Sequence, residues 1–482
     1  MTTQIFENSY AKLPAHFFTR QSAEAARAPD VIATNAALAD FLNFPDGYLE
    51  SAAGRDMISG TAFDPSAKPL AQVYAGHQFG GFSPQLGDGR ALLIGEVMAK
   101  DDMRYDVQLK GSGQTPYSRS GDGLAALGPV IREYVMSEAM HALGVPTTRA
   151  LAAIRTGSPV YREGAEQGAM LTRVALSHIR IGTFQFFAAR NDTDAIAELA
   201  DYAMDRHYPD AKSTDTPIRS FFECVCLAQA ELIAHWMALG FIHGVMNTDN
   251  MAISGQTIDY GPCAFMDHFH AMKVFSSIDT GGRYAWARQP QIGHWNLLRF
   301  AETLIPIWDS GEEHAVAEIE DSIALYSECV NARMALRFAD KLGLPAYADI
   351  DTDSFIQNTL GMMQAEGLDF TRFFASLRED GDHLRDWVGT EATDAWLADW
   401  QKRVSKEDRE ASQTARAQNS PIYIPRNHQV ANAIANAEAG ADQVFHDLLA
   451  VLQNPYERQD GKEHYEAAPK PDEEVTQTFC GT

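Results

Sequence analysis

FIHGVMNTDNMAISGQTIDYG, Phe241 to Gly261, reads as a short strand, a loop and a hairpin that turns at Ser254-Gly255. Asn250 and Asp259 then fall on opposite sides of that hairpin, so both side chains can reach one site. An amide oxygen and a carboxylate are hard ligands, a sensible pair for a magnesium ion held mainly by phosphates. Asp249, beside Asn250, is the nearby carboxylate able to serve as a base, or simply to cap a turn. Either half alone would be an ordinary polar turn. The two in this order favour chemistry.

The spacing from His243 to Asn250 matches the kinase catalytic-loop pattern H-R-D-x-x-x-x-N. Asp259-Tyr260-Gly261 follows, as the metal-binding D-F-G does in kinases. One position departs. Where a kinase has its catalytic Asp this chain has Val245, which can neither accept a proton nor orient a hydroxyl.

Upstream, RALLIGEVM (Arg90 to Met98) and YDVQLKG (Tyr105 to Gly111) read as strands, and a helix follows with Pro129 in its first turn and Gly144 at its end. This order resembles a kinase small lobe. Lys110, in VQLK, stands where the kinase strand V-A-I-K places its phosphate-binding lysine. In the helix, Ile131, Tyr134, Val135 and Glu138 share one apolar face at helical spacing. A carboxylate on such a face needs a partner, and Lys110 is the expected one for Glu138. QLGDGRA supplies Gly87, Gly89 and Arg90 just before a strand, a turn in which backbone amides can approach a phosphate. SGDGL adds Asp122 and Gly123, which either meet the nucleotide or begin the helix. Arg173 and Arg180, in LTRVALSHIRIG, are seven apart and would share one face of a helix, two guanidinium forks for phosphate oxygens or for surface salt bridges.

Downstream of these, His207 to Pro217 reads as a polar linker, and Phe221 to Gly240 as a buried helix ending at glycine. From Trp295 the pattern is mostly helical, and from Asn454 a polar tail hugs the surface or stays mobile. The fold class expected is α+β, kinase-like and two-lobed. Residues 1–185 hold the small lobe, 186–453 the mostly helical lobe with the catalytic loop, and 454–482 the tail. His268 and His270 are loop residues with no suitably spaced companions. There is no G-x-x-x-x-G-K-[ST] phosphate loop, no G-x-S-x-G elbow and no Cys–His signature.

Composition sets the outer bounds. The chain has 482 residues, 45% hydrophobic and 22% charged, with a net charge of −26. That suits a large soluble core in two lobes, and it repels nucleic acid and anionic membranes, so neither is an expected partner. A phosphate ligand therefore needs a local basic pocket. No stretch reads as long and apolar enough to span a bilayer, and the N-terminus lacks a secretory pattern, so a cytoplasmic location is expected. The five cysteines suggest no disulfide framework, with Cys224 and Cys226 expected in the core.

Longer segments resemble one family. YAGHQFGGFSPQLGDGR (Tyr74 to Arg90), LKGSGQTPYSRSGDG (Leu109 to Gly123), HGVMNTDN with IDYGP, and PIYIPRNH (Pro421 to His428) are similar to selenoprotein O, a kinase-fold pseudokinase family. The resemblance implies that ATP binds in a flipped orientation and that AMP passes to protein Ser, Thr or Tyr hydroxyls, releasing pyrophosphate. It implies nucleotide contacts from Gly87, Gly89, Arg90, Lys110, Asp122, Gly123, Arg173, Arg180 and Asp259. It further implies Asp249 as proton acceptor, with Asn250 and Asp259 holding magnesium, or manganese in its place. Proteins with accessible hydroxyls would be the partners, and the chain would act as a monomer. Cys480 matches a C-terminal cysteine or selenocysteine linked in the family with redox control. Bacterial relatives can carry a cysteine in the activation-loop region where this chain has Phe275, so a regulatory disulfide here would need Cys263 instead. Two other readings stand beside this one: a non-catalytic ATP-binding scaffold, and a phosphotransferase using Asp249. Spacing alone does not separate adenylyl from phosphoryl transfer; the resemblance does.

Overall fold

A computed structural model describes residues 5–345, 350–381 and 384–479. Its strands are β1 (Phe18–Arg20), β2 (Asp30–Thr34), β3 (Leu70–Gln72), β4 (Gly76–Gln78), β5 (Gly81–Ser83), β6 (Ala91–Met98), β7 (Arg104–Lys110) and β8 (Ala125–Ala126). They continue with β9 (Arg149–Tyr161), β10 (Ala165–Ala175), β11 (Phe241–Ile242) and β12 (Ala264–Phe265). Among the described residues, eight strands form an antiparallel sheet in the order β1-β3-β6-β7-β10-β9-β2, with β8 beside β10. The expected strands at Arg90–Met98 and Tyr105–Gly111 are β6 and β7. In β6 all but the last residue are buried, because the sheet is covered on both faces. Helices α1 (Ala36–Phe41) and α2 (Ala52–Ile58) set Leu38 and Met57 against Ile94, Val107 and Ile154. Helix α3 (Leu127–Ala142) sets Ile131 and Val135 on the other side, with Leu93 and Leu171.

The rest of the described chain is mainly helical: α4 (Ile181–Ala188), α5 (Thr193–His207), α6 (Pro217–Leu239), α7 (Gln289–Leu304) and α8 (Glu312–Leu342). After these come α9 (Ile350–Ala365), α10 (Phe370–Ser376), α11 (Leu384–Trp387), α12 (Glu391–Val404), α13 (Arg409–Asn419), α14 (Asn427–Glu438) and α15 (Gln443–Leu452). The fold is thus α+β. Helices α14 and α15 return to pack on the outer side of α3, so α3 is buried nearly all round. The linker expected at His207–Pro217 carries a short 3-10 turn, Pro209–Ser213.

Helix α6 corrects one expectation, since at 23 residues it is long and apolar enough to cross a bilayer. Its apolar residues instead fill the core between α7 and α8, and it stops at Gly240, whose φ of 68° makes a left-handed cap. Phe241 and Ile242 then pair with Phe265 and Ala264, which leaves residues 243–263 as a loop held at both ends. The turn at Ser254-Gly255 is present, but its limbs do not pair with each other. Ala252 bridges Arg180, and Thr257 bridges Thr147.

Cys226 is buried as expected, whereas Cys224 is only partly covered. The tail follows the surface as far as it is described. Thr478 forms a bridge to Ser276, its amide donating to the Phe275 carbonyl at 2.7 Å and its hydroxyl to the Pro262 carbonyl at 2.6 Å. Cys480 lies outside the described residues. Cys263 is fully buried, and burial pushes its thiol up to about 11.

Candidate active site

Three cations meet on one carboxylate. Lys110 ends β7, and Arg173 stands on β10 opposite Gln108, so the sheet register brings both to the same face. Arg180 is the N-cap residue of α4. Asp259 Oδ1 accepts from Lys110 at 3.1 Å and from Arg173 at 2.9 Å, while its Oδ2 lies 3.4 Å from Arg180. Burial alone would raise the Asp259 carboxyl, but Lys110, Arg173 and Arg180 outweigh it and hold the group well below the usual range. The backbone of Asp259 is left-handed, with φ of 63°, a conformation that a short polar residue tolerates. Just before it, the buried His243 fixes the loop. Its Nε2 donates to the Ile258 carbonyl at 2.9 Å, so Nδ1 is the acceptor for the Val245 amide.

Two expectations are corrected here. Lys110 pairs with Glu133 at 2.5 Å, not with Glu138. Glu133 also accepts from Arg173 at 3.2 Å. Glu138 instead binds Arg149 at 2.7 Å, the Asn35 amide at 2.8 Å and the Ala150 N–H at 2.9 Å. Because both sides of α3 are covered, an apolar stripe does not single out the side that faces the site. Arg173 and Arg180 do not share a helix face either. The strand β10 runs through Ala175, and the two guanidinium groups converge from a strand and a helix start.

Asp249 lies on the short 3-10 turn Thr248–Asn250, and its carbonyl accepts from Arg180 at 2.9 Å. The hairpin β4–β5 is laid across this turn. Its His77 amide donates to the Thr248 hydroxyl at 2.7 Å, its Phe79 amide to Asn247 at 3.1 Å, and the Gln78 side chain to Asp249 Oδ2 at 3.0 Å. Asp249 Oδ1 is buried and accepts no hydrogen bond among the described residues. Burial, only partly offset by Gln78 and Arg180, pushes the Asp249 carboxyl up to about 6. Val245 is buried at the kinase-base position.

Asn250 donates its amide nitrogen to the Val245 carbonyl at 3.0 Å, which leaves its amide oxygen as the free end. Among the described residues no group of three or more His, Cys, Asp or Glu side chains forms a ready metal cage. An amide oxygen, two nearby carboxylates and nucleotide phosphates nevertheless make a hard-oxygen donor set of the kind magnesium takes.

The glycine turns form a lip beside Lys110. The Arg90 carbonyl accepts from the Gly111 amide at 2.7 Å, and the Gly123 carbonyl from the Gly113 amide at 3.0 Å. Gly87 and Gly89 press against Tyr117, where a Cβ on Gly89 would lie 2.9 Å from the Tyr117 carbonyl. Asp122 is held by Arg162 at 2.8 Å and makes no hydrogen bond or ion pair with Lys110, Arg173 or Arg180. His268 bridges Asp369 away from these groups. Sequence reasoning missed Glu133, Gln78, Asn247 and Tyr284, whose hydroxyl donates to Asn247 at 2.6 Å. It also missed Arg132, which donates to the Gly261 carbonyl at 3.0 Å and steadies the loop after Asp259.

A family model described as Protein adenylyltransferase SelO matches residues 1–453. A protein nucleotidyltransferase YdiU of Rhizobium johnstonii is 51% identical over 487 residues, covering 99% of this chain and 97% of its own. That of Rhizobium meliloti is 50% identical over 492 residues and the match covers 100% of both chains, and that of Nitrobacter hamburgensis is 50% identical over 486 residues, 99% and 96%. The protein is a nucleotidyltransferase. More particularly, the chain belongs to the SelO family of protein adenylyltransferases.

Proposed function

We propose that the chain transfers AMP from ATP to Ser, Thr or Tyr hydroxyls of proteins. The frame is kinase-like, with residues 1–185 forming the small lobe and 186–453 the helical lobe. The observation that carries the reading is the meeting of Lys110, Arg173 and Arg180 around Asp259, with the Asp249 turn fastened to Arg180. Three cations gathered in one place are a phosphate-binding feature in a chain of net charge −26. Triphosphate oxygens would compete with the carboxylates for these cations.

In this reading Asp249 accepts the proton of the acceptor hydroxyl. The hydroxyl oxygen bonds to the α-phosphorus, and the bond from that phosphorus to the pyrophosphate oxygen breaks. Lys110 and the arginines hold the departing pyrophosphate, where negative charge gathers. A carboxylate poised near 6 is mostly ionised at neutral pH and still basic enough to take a proton. Asn250 and Asp259 would hold a divalent cation through the phosphates; when bound, it neutralises their charge and favours attack by the hydroxyl. Val245 explains why the γ-phosphate route lacks its usual acceptor.

The test uses ATP labelled separately on the α- and γ-phosphates. Label should reach protein only from the α-phosphate, and Asp249→Ala should lose about 10²–10⁴-fold in rate while nucleotide still binds. Protein labelled from the γ-phosphate would replace this reading with phosphotransfer, and protein labelled from neither with a scaffold.

A further inference from the structure

The strand β7 carries three polar residues on one buried face. Asp106, Gln108 and Lys110 alternate with Val107 and Leu109, which pack with Leu38 and Met57 on the other side of the sheet. Lys110 belongs to the cation cluster, and Asp106 binds Arg206 at 2.6 Å and His178 at 3.0 Å. Gln108, between them, is fully buried and takes no part in the transfer chemistry. A buried amide is costly unless both of its ends are bonded, and here each end has a distinct partner.

Across the sheet Gln108 stands opposite Arg173. Its Oε1 accepts from Arg173 Nη2 at 2.6 Å and from Arg173 Nε at 3.2 Å, so one oxygen holds a whole edge of the guanidinium. The corner left over, Nη1, is the one that reaches Asp259 at 2.9 Å and Glu133 at 3.2 Å. Gln108 Nε2 donates to Asp88 Oδ2 at 3.3 Å, the oxygen that also accepts from the Gln72 N–H at 3.0 Å. Burial pushes the Asp88 carboxyl up to about 6, so at neutral pH it is mainly an acceptor. Arginine only donates and a carboxylate only accepts, so the amide cannot turn over without losing both partners. Asp88 lies between Gly87 and Gly89, and its carbonyl accepts from the Thr115 hydroxyl at 2.7 Å. A continuous chain of hydrogen bonds thus runs from the glycine turn through Asp88 and Gln108 to Arg173.

The chemistry of this link matters as much as its shape. Arg173 already faces two carboxylates, Glu133 and Asp259. A carboxylate at position 108 could hold the same edge, but it would add a third acid with which an incoming phosphate must compete. An amide oxygen orients the guanidinium and adds no charge. We propose that Gln108 is a positioning residue for the pyrophosphate end of ATP: it turns the Nη1 corner of Arg173 toward the cation cluster and, being neutral, leaves that corner to phosphate oxygens. The proposal rests on the transfer reading above, which sets Lys110 and the arginines on the pyrophosphate end, and adds to it the residue that aims one of them.

The test titrates the full chain with ATP, inorganic pyrophosphate and AMP, the wild type beside Gln108→Glu and Gln108→Met, with affinities taken per folded molecule. Gln108→Glu is close to isosteric and keeps an oxygen for Arg173. It should bind ATP and pyrophosphate about tenfold more weakly and AMP as the wild type does. Gln108→Met removes the acceptor and should show the same split. In steady state the KM for ATP should rise in both variants while that for the protein acceptor stays put. Lysine offers no edge to hold, so adding Gln108→Met to Arg173→Lys should cost little beyond Arg173→Lys alone. Equal losses for ATP and AMP would overturn the proposal by making Gln108 a general support of the fold. Unchanged pyrophosphate affinity in Gln108→Glu, or losses that add in full with Arg173→Lys, would overturn it as well. The two readings fail separately. Label arriving from the γ-phosphate overturns adenylyl transfer, whereas these affinities are measured without any transfer and decide the role of Gln108 by themselves.

Discussion

Gly76 stands against the side chain of Asp249, so close that a Cβ on Gly76 would lie 2.9 Å from the Asp249 carboxyl carbon. The absent side chain is what lets the hairpin lie flat on the Asp249 turn. Gly76→Ala therefore displaces the carboxylate without straining its own backbone, since Gly76 is not among the residues with positive φ. A displacement near 1 Å in a reacting group can cost about 10²-fold. The expected result is a fall in kcat toward that scale, with ATP affinity and the thermal midpoint nearly unchanged. Full activity in Gly76→Ala would mean that Asp249 is not held for catalysis.

Two acids on α3 should separate in kind. Glu133 touches Lys110 and Arg173, so Glu133→Gln should lose about tenfold or more in kcat/KM for ATP by freeing both cations from their set positions. Glu138, five residues further along the helix, touches Arg149, Asn35 and the Ala150 amide instead. Glu138→Ala should cost about 3 kcal/mol of stability by leaving Arg149 without its partner, and leave turnover per folded molecule intact. Denaturant midpoints and steady-state kinetics on both variants check the pair. The reverse pattern would restore Glu138 as the partner in function.

How much of this was legible follows from the range of each contact. The strands around Lys110, the helix ending at Gly240 and the loop from His243 to Asp259 are set by local pattern, and they stand where the sequence puts them. Which acid meets Lys110 was not legible, because α14 and α15, about 300 residues further on, bury the other side of α3 and erase its amphipathic signal. The turn at Ser254-Gly255 was readable, but not that Ala252 and Thr257 would pair with Arg180 and Thr147. Arg173 and Arg180 converge through sheet register and a helix start, which no spacing rule within one helix conveys. Gln78 left one trace, its place between Gly76 and the Gly80-Gly81 pair, where a close backbone approach is to be expected.

The PIYIPRNH segment has a structural use that its position in the sequence does not reveal. Arg426 is buried, bound to Asp267, to Asp369 at 2.8 Å and to the Glu466 carbonyl at 3.1 Å. Replacing it with Met leaves two carboxylates facing each other without a cation, a loss of about 3–5 kcal/mol. Urea unfolding should report that loss. The neighbouring Asn427 binds Arg132 at 2.8 Å, and Arg132 holds the Gly261 carbonyl, so slackening here should reach the Asp259 loop as weaker ATP binding. A variant as stable as the wild type would show that the Arg426 cluster contributes no net stability.

Lys341 gives a pH test of stability well away from the site. Its ammonium is buried on α8, donates to the Asn419 carbonyl at 3.1 Å and lies 4.7 Å over Phe374. No carboxylate forms an ion pair with it among the described residues. Burial, with repulsion from Arg337 behind it, lowers its pKa from 10.5 to about 7. Between those two values the unfolded chain holds the proton and the folded chain does not. Raising the pH through that window therefore penalises the unfolded state and raises stability, while near and below pH 7 the cost of burying charge is felt in full. Lys341→Met keeps most of the volume and removes the titration. It should have a higher Tm than the wild type at pH 7, and that advantage should shrink steadily toward pH 10 as the wild-type amine is spared its proton in the unfolded chain too. Differential scanning at four or so pH values (the difference between variant and wild type at each) isolates this group from all others that titrate. A difference that stays constant with pH would mean that Lys341 keeps its ordinary pKa in the folded protein.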